Sequence, residues 1–279
     1  MSFETLSASK SHGGIQLVCR HLSRETGTEM TFAVFLPPQA QGRPCATLTY
    51  LSGLTCTHAN AVEKGEYRAA AAEFGLIVVC PDTSPRGTGV PDDEAYDFGQ
   101  GAGFYVDATE APWSRHFRMY SYITKELPTL VRAEFPTDPS RHGIFGHSMG
   151  GHGALTVALR SAETYRSVSA FSPIVAPAQV PWGRKAFAGY LGRNEQHWRA
   201  HDTVALLEDG HRLDEILVDV GTADQFLERE LRPELLEAAC KRANVALTLR
   251  RQPGYDHSYF FISTFMRDHI AWHARRLAG

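Results

Sequence analysis

The chain has 279 residues, of which 43% are hydrophobic and 21% charged, and its formal net charge is −3 at pH 7. This composition is ordinary for a soluble globular protein and lacks the basic surface that binds nucleic acids or anionic membranes. No stretch approaches the ~18 consecutive apolar residues that cross a bilayer, and the N-terminus has no signal-peptide pattern. Five scattered cysteines without a C-x-x-C pair favour reduced thiols, so we expect a cytoplasmic protein.

Runs of apolar residues that end at glycine or proline predict strands, and longer amphipathic or alanine-rich segments predict helices. Residues 83–112 are rich in Gly, Pro and Asp and predict a long loop, a feature that is often functional. In chain order the predicted elements are strands 15–20, 30–36 and 46–51, helix 66–74, strand 76–80, helix 120–135, strand 142–146, helix 150–159, strands 168–172 and 216–220, helix 228–241, strand 245–250 and helix 258–277.

Strands and helices alternate through most of the chain, and no repeat or linker interrupts it. This order predicts an α/β protein whose mostly parallel sheet carries helices on both faces. We interpret residues 1–279 as a single domain.

Ser148 is the candidate nucleophile. Residues Gly146–Gly150 read G-H-S-M-G, a match to G-x-S-x-G placed between a predicted strand and a predicted helix, which is the context of an α/β hydrolase. The sharp strand-to-helix turn strains the serine and leaves no room for side chains two residues away, hence the glycines. The alternative is a turn serine that caps a helix.

His257 is the candidate general base. In α/β hydrolases the triad runs Ser, then Asp or Glu, then His, and of the histidines after Ser148 only His257 follows a strand through a turn. We expect His152 to pack or cap on the helix after the nucleophile. Three histidines in a polar stretch should be exposed, and the last two, four residues apart, should lie on a surface helix face without a metal: His197, His201, His211, His269 and His273.

Asp224 is the candidate acid because it lies in the loop after strand 216–220. Asp219 lies inside that strand and should point into a face of the sheet. Asp256 adjoins His257 and should be unable to reach around to orient it. The carboxylate would fix the imidazole tautomer and stabilise the imidazolium.

The oxyanion hole needs two N–H donors. One should come from Met149, the residue after the nucleophile, and the other from the loop after an early central strand, where Leu54 is the candidate. The alternative for Gly53-Leu54 is an ordinary glycine turn. Cys56 then lies near the active site, either as an inert small hydrophobe or as a thiol whose blocking obstructs substrate.

Several longer motifs closely resemble the S-formylglutathione hydrolase (esterase D) family, from about residue 10 to the end of the chain. They include S-G-L-T-C-T from Ser52, P-D-T-S-P-R-G from Pro81, D-F-G-Q-G-A-G-F-Y-V-D-A-T from Asp97, F-G-H-S-M-G-G-H-G-A from Phe145, W-G at Trp182, K-A-F at Lys185, D-Q-F-L from Asp224 and G-Y-D-H-S-Y from Gly254. Residues 221–223, G-T-A, depart from the family, whose members often carry a charged residue there.

The resemblance implies a cofactor-free, metal-free thioesterase that cleaves S-formylglutathione to formate and glutathione in formaldehyde detoxification. It also implies activity on small carboxylic esters and a homodimer. The same resemblance places the triad on Ser148, Asp224 and His257. Loop 83–112, with Trp182 and Lys185, should form walls near the active site. Lys185 or Arg86 either faces a glutathione carboxylate or lies on solvated surface.

Three other functions share this scaffold. A general carboxylesterase would prefer acyl esters. An acyltransferase of the mycolyl-transfer type would normally be exported, and no signal peptide is seen here. A non-catalytic binding module would usually have lost one of the three triad residues.

Overall fold

The computed structural model describes residues 2–278. Nine strands are formed within that range, all in one sheet. They are β1 (Glu4–Ser11), β2 (Gly14–Leu22), β3 (Glu29–Leu36), β4 (Cys45–Leu51), β5 (Ile77–Pro81), β6 (Thr137–His147), β7 (Ser167–Phe171), β8 (Glu215–Gly221) and β9 (Ala246–Gln252).

The helices are α1 (His58–Lys64), α2 (Tyr67–Phe74), α3, α4 (Met149–Arg160), α5 (Pro181–Leu191), α6 (Glu195–Trp198), α7 (Thr203–Glu208), α8 (Pro233–Ala243) and α9 (Tyr259–Arg276). Helix α3 has three consecutive parts, Met119–Ser121, a π-helical turn Tyr122–Glu126 and Leu127–Glu134. A second π-helical turn, Leu227–Leu231, precedes α8. Short 3₁₀ turns lie at Pro38–Gln41, Trp113–Arg115, Pro177–Gln179 and Arg199–His201.

The strand order is β1-β2-β3-β5-β4-β6-β7-β8-β9. The strands from β5 to β9 pair in parallel, while β1, β2 and β3 form an antiparallel extension that joins β5. The predicted α/β architecture with a mostly parallel sheet is therefore confirmed. In such sheets the loops at the carboxyl ends of the strands form the ligand crevice.

The sheet separates two apolar cores, which explains why its central strands are hydrophobic throughout. Along β5, Ile77 and Val79 enter the core beneath α3, α4 and α8. Val78 and Cys80 enter the other core, beneath α2 and α9. Helices therefore cover both faces, as the alternation of elements predicted. No helix among residues 2–278 is long and apolar enough to span a membrane.

Strand β1, helix α1 and the helices α5 to α7 were absent from the sequence prediction. Nearly all of β1 is exposed at the sheet edge, so it carries no apolar alternation for a sequence pattern to detect. Strand β6 also begins earlier than predicted, at Thr137, because residues ahead of His142 continue its ladder with β4.

The prediction that His269 and His273 lie on a surface helix face is wrong, because both are fully buried. Hydrogen bonds inside the core offset this burial: His273 binds the hydroxyls of Ser167 and Ser169 at 2.7 and 2.8 Å, and His269 Nδ1 lies 2.8 Å from the Ser169 hydroxyl. Asp219 completes this network, 3.4 Å from His269 Nε2.

His201 is also not fully exposed as predicted, since it lies half-buried with its ring beside Arg160. His197 and His211 are exposed. His152 is buried on α4, where its Nε2 donates to the carbonyl of Phe104 at 3.0 Å, in agreement with a packing role.

Buried neutral histidines predict a loss of stability in mild acid. Burial lowers the pKa of His142 to about 3 and that of His152 to about 4. Between pH 6.5 and 4 the unfolded chain therefore binds more protons than the folded one, and the free energy of unfolding falls as the pH falls. Each histidine contributes about 1.4 kcal/mol per pH unit to this slope.

Urea unfolding at pH 7, 6 and 5 measures the effect, with His142→Gln as the matched variant. The variant should show a shallower slope between pH 6 and 5 than the wild type. The difference between the two slopes gives the contribution of the His142 imidazole, because the wild type and the variant have the same carboxyl groups. Identical slopes would contradict the prediction.

Candidate active site

Ser148 occupies a strained turn between β6 and α4. Its backbone has φ 58° and ψ −118°, a conformation that residues with a side chain rarely adopt. A Cβ on Gly146 would collide with the Gly150 carbonyl, and one on Gly150 would collide with the carbonyl of Leu51. Both glycines are therefore required by close backbone approaches. The turn presents Ser148 at the carboxyl end of the sheet, at the N-terminus of α4.

Asp224 and His257 form a hydrogen-bonded pair beside this turn. Asp224 follows β8, His257 follows β9, and Oδ2 of the carboxylate lies 2.6 Å from Nδ1 of the imidazole. The other carboxylate oxygen, Oδ1, accepts from the amide of Phe226 at 2.9 Å. Asp256 instead accepts hydrogen bonds from the amide and hydroxyl of Ser258, so it does not orient the imidazole.

The imidazole of His257 lies next to the serine turn. Its ring centroid is 4.4 Å from that of His147, the residue that precedes Ser148. Within residues 2–278 the Ser148 hydroxyl and His257 do not form a hydrogen bond of normal length. Hydrogen bonds of this kind often tighten only when substrate is present. The structure thus brings Ser148, His257 and Asp224 into one neighbourhood.

The loop Ser52–Cys56, termed the 52–56 loop, lies against Ser148. A Cβ placed on Gly53 would be 3.2 Å from Cβ of Ser148, so a glycine permits this approach. Across residues 2–278, neither Leu54 N–H nor Met149 N–H donates to another protein group. Met149 is the first residue of α4, where amides lack an acceptor within the helix. The turn after Ser148 and the loop that approaches it therefore each carry an N–H donor without an acceptor in the described residues.

Aromatic rings form a wall beside His257. The ring of Phe226 lies 5.0 Å from the imidazole, and Trp182 on α5 lies 4.6 Å from Phe226. Tyr96, from the long loop, meets Trp182 edge-on at 6.4 Å. Trp182 thus lies near the site, two rings from the imidazole. Sequence reasoning missed Phe226 and Tyr96, and the only local signal is that Phe226 follows Asp224 by two residues.

Lys185 and Arg86, the two candidate cations, each form an ion pair with an aspartate of the long loop or its start. Lys185 Nζ lies 2.5 Å from Oδ1 of Asp97. Arg86 Nε lies 3.0 Å from Oδ1 of Asp82, and the guanidinium also donates to the carbonyl of Cys56 at 3.0 Å. Arg86 therefore supports the 52–56 loop and is not a free cation.

Cys56 is the single partly exposed cysteine among residues 2–278, since Cys19, Cys45, Cys80 and Cys240 are buried. Burial raises the pKa of its thiol, and the positive charges of Lys64 and Arg86 oppose that shift. The thiolate is the reactive form, so modification should be slow at neutral pH and accelerate in alkali.

N-ethylmaleimide should therefore label Cys56 first and reduce esterase activity as the label accumulates, because the adduct fills space next to Ser148. Activity and adduct mass are followed together, with Cys56→Ala as the control that should retain activity and resist the reagent. Full activity after stoichiometric labelling of Cys56 would show that the thiol does not border the substrate.

Comparison with known proteins places this geometry in a family. Residues 23–273 match the esterase family model, described as "Putative esterase". The S-formylglutathione hydrolase of Paracoccus denitrificans (strain Pd 1222) is 56% identical over 277 residues, covering 99% of both chains. The S-formylglutathione hydrolase of Mus musculus is 51% identical over 281 residues, also covering 99% of both chains.

A solved structure gives the same result. The S-formylglutathione hydrolase from Agrobacterium tumefaciens superposes with a TM-score of 0.97 at 56% identity, covering 98% of this chain and 99% of that one. The fold is the α/β-hydrolase fold, and the protein is a serine hydrolase. On sequence and structure alike, this chain belongs to the S-formylglutathione hydrolase family of esterases.

Proposed function

We propose that this protein hydrolyses S-formylglutathione to formate and glutathione, with side activity on small carboxylic esters. The observation that carries the proposal is the Asp224–His257 pair beside Ser148, where carboxylate and imidazole are 2.6 Å apart. It is supported by the 56% identity to a relative named S-formylglutathione hydrolase over nearly the whole chain.

In the proposed acylation step, Ser148 is the nucleophile and His257 the general base. The hydroxyl oxygen bonds to the formyl carbon while its proton passes to Nε2 of the imidazole. Asp224 holds Nδ1–H and stabilises the imidazolium. The N–H groups of Leu54 and Met149 bind the oxyanion of the tetrahedral intermediate, each contributing about 3–4 kcal/mol.

The C–S bond then breaks and glutathione leaves as a thiolate, which takes up the imidazolium proton as it departs, so that His257 is neutral again. Because a thiolate is a good leaving group, protonation by the imidazolium matters less than it would for an amide. Water next attacks the formyl-enzyme with His257 again accepting a proton, which releases formate and restores Ser148. The chemistry requires protein groups alone, in line with the proposal that no cofactor or metal takes part.

The proposal is tested by measuring kcat/KM for S-formylglutathione and for 4-nitrophenyl acetate with the same preparation. We expect the formyl thioester to have the higher value. The esterase family match favours a second candidate, a general carboxylesterase. A kcat/KM for the acetate ester that equals or exceeds that for the thioester would favour this candidate and reject the first.

Three further proposals concern context. We propose that the enzyme serves formaldehyde detoxification, that it is cytoplasmic, and that residues 1–279 form a single domain that associates as a homodimer. Five unpaired cysteines suit a reducing compartment. A single sheet built from both halves of the chain supports the single domain. Light scattering after size exclusion tests the dimer, which predicts about twice the chain mass of 30.9 kDa.

A further inference from the structure

The 52–56 loop is fixed on both sides of Leu54 by side chains of the long loop. Before Leu54, the hydroxyl of Tyr105 donates to the carbonyl of Ser52 at 2.8 Å. After it, the hydroxyl of Thr83 donates to the carbonyl of Cys56 at 2.5 Å. Burial raises the pKa of Tyr105 well above its usual range, so its hydroxyl stays protonated and remains a donor.

A partly buried ion pair reinforces the second attachment. Arg86 Nη2 donates to the same Cys56 carbonyl at 3.0 Å, while its Nε contacts both carboxylate oxygens of Asp82 at 3.0 and 3.1 Å. Asp82 also accepts from the amide of Thr83 at 2.6 Å. The carboxylate thus orients the guanidinium through its Nε–H, and Nη2 donates to the loop backbone.

Tyr105 is in turn fixed to the helix that follows Ser148. His152 on α4 donates to the carbonyl of Phe104 at 3.0 Å. One residue later, a Cβ on Gly153 would lie 2.6 Å from the Tyr105 ring, so the ring packs directly on the helix backbone. Phe104 and Tyr105 have φ of 47° and 52°, strained values that persist where the surroundings dictate the conformation.

These contacts connect the loop that carries the Leu54 N–H with the helix that begins at the Met149 N–H. Met149 begins α4, the helix on which the Tyr105 ring packs, and Leu54 lies in the loop whose Ser52 carbonyl accepts from Tyr105. We propose that Tyr105, Thr83 and Arg86 are positioning residues that set the Leu54 N–H against the Met149 N–H. The proposal rests on the oxyanion role assigned to these two amides under the proposed function.

The expected effect on kcat and KM depends on the step of the reaction in which the oxyanion forms. The negative charge develops only in the transition state, so a displaced donor lowers kcat and leaves KM nearly unchanged. Complete loss of one oxyanion donor costs roughly 10²–10³-fold in kcat. A donor displaced by a missing hydrogen bond should cost on the order of tenfold.

Two variants remove single hydroxyls without changing the shape of the site. Tyr105→Phe and Thr83→Val should each lower kcat about tenfold with KM within twofold of the wild type. Thr83→Ser keeps the hydroxyl and should retain wild-type kcat. A purely structural role predicts the opposite pattern, in which Thr83→Ser, which loses a buried methyl group, is no better than Thr83→Val.

Arg86→Gln has a matched control elsewhere on the sheet. Arg141 also pairs with a nearby carboxylate, Asp138, at 2.7 Å, and also donates to a backbone carbonyl, that of Leu277, at 3.5 Å. Arg86→Gln should lower kcat at least as much as Tyr105→Phe, whereas Arg141→Gln should leave it unchanged. Thermal unfolding of both variants shows whether they have lost similar stability.

Each variant is assayed with 4-nitrophenyl acetate and with S-formylglutathione, and for inhibition by a trifluoromethyl ketone, which forms a tetrahedral adduct. Inhibitor affinity should fall in proportion to kcat/KM. Unchanged kcat in Tyr105→Phe and Thr83→Val, or a loss confined to KM, would overturn the proposal. Hydrolysis of the ester also depends on the oxyanion hole, so it tests the positioning residues without the thioester. If the wild-type enzyme hydrolyses the ester but not S-formylglutathione, the proposed function is rejected while the test of the positioning residues still holds.

Discussion

Ser148→Ala should lower kcat for S-formylglutathione by ~10⁴-fold or more, the scale on which triad deletions act. The variant keeps both amide donors and the Asp224–His257 pair, but no nucleophile remains to form the acyl-enzyme. Residual turnover would come from binding and from oxyanion stabilisation of direct water attack. Steady-state hydrolysis followed by thioester absorbance measures the effect.

Ser172→Ala is the matched control for this variant. Ser172 is likewise buried and has a positive φ, 42°, and its hydroxyl has no hydrogen-bond partner among residues 2–278. Its backbone lies at the end of β7, close to the turn that holds Ser148. We expect Ser172→Ala to retain activity within a few-fold. A Ser148→Ala enzyme with more than about 1% of wild-type kcat would contradict the assignment of the nucleophile.

Asp224→Asn should lower kcat by about 10³–10⁴-fold with the fold intact. The structure shows why the side-chain amide of an asparagine at position 224 would orient unfavourably. The Phe226 amide donates to Oδ1 at 2.9 Å, so the asparagine oxygen must stay on that side and its NH₂ must face His257. Nδ1 of the imidazole would then have to accept, which places the proton on Nε2 and removes the base that Ser148 needs.

Asp202→Asn is the control, because Asp202 is a buried carboxylate whose oxygens accept from the amides of Ala178 and Ala205. An asparagine oxygen still caps the helix at Ala205, while its NH₂ faces the Ala178 amide, so this variant should lose some stability and keep kcat within twofold. Far-ultraviolet circular dichroism of both variants checks the fold. Near-normal activity in Asp224→Asn would show that another group orients His257.

The sequence predicts the parts of this protein that follow from local chemistry. The central strands are hydrophobic on both faces and end at glycine or proline, and the glycines at 146 and 150 reflect the close approach of backbones around Ser148. These features are the reason that the α/β fold could be predicted from the sequence. The catalytic roles of Asp224 and His257, inferred from chain order, remain predictions, although the structure brings the two side chains together.

The features that sequence reasoning missed depend on tertiary partners. His269 and His273 have the spacing of an exposed helix face, but serines on β7 supply hydrogen bonds that allow their burial. The attachment of Arg86 to the Cys56 carbonyl joins residues 30 positions apart, and no local pattern predicts it. The same holds for Tyr105, whose contacts arise only when the long loop packs on α4.

The central claim is that Ser148 is the nucleophile, and covalent labelling tests it most directly. The enzyme is treated with a fluorophosphonate, digested, and the modified peptide is sequenced by mass spectrometry, with Ser148→Ala and Ser172→Ala treated in parallel. We predict a single adduct on Ser148, formed equally in Ser172→Ala and absent from Ser148→Ala. An adduct on another residue, or labelling of Ser148→Ala at the wild-type rate, would contradict the account.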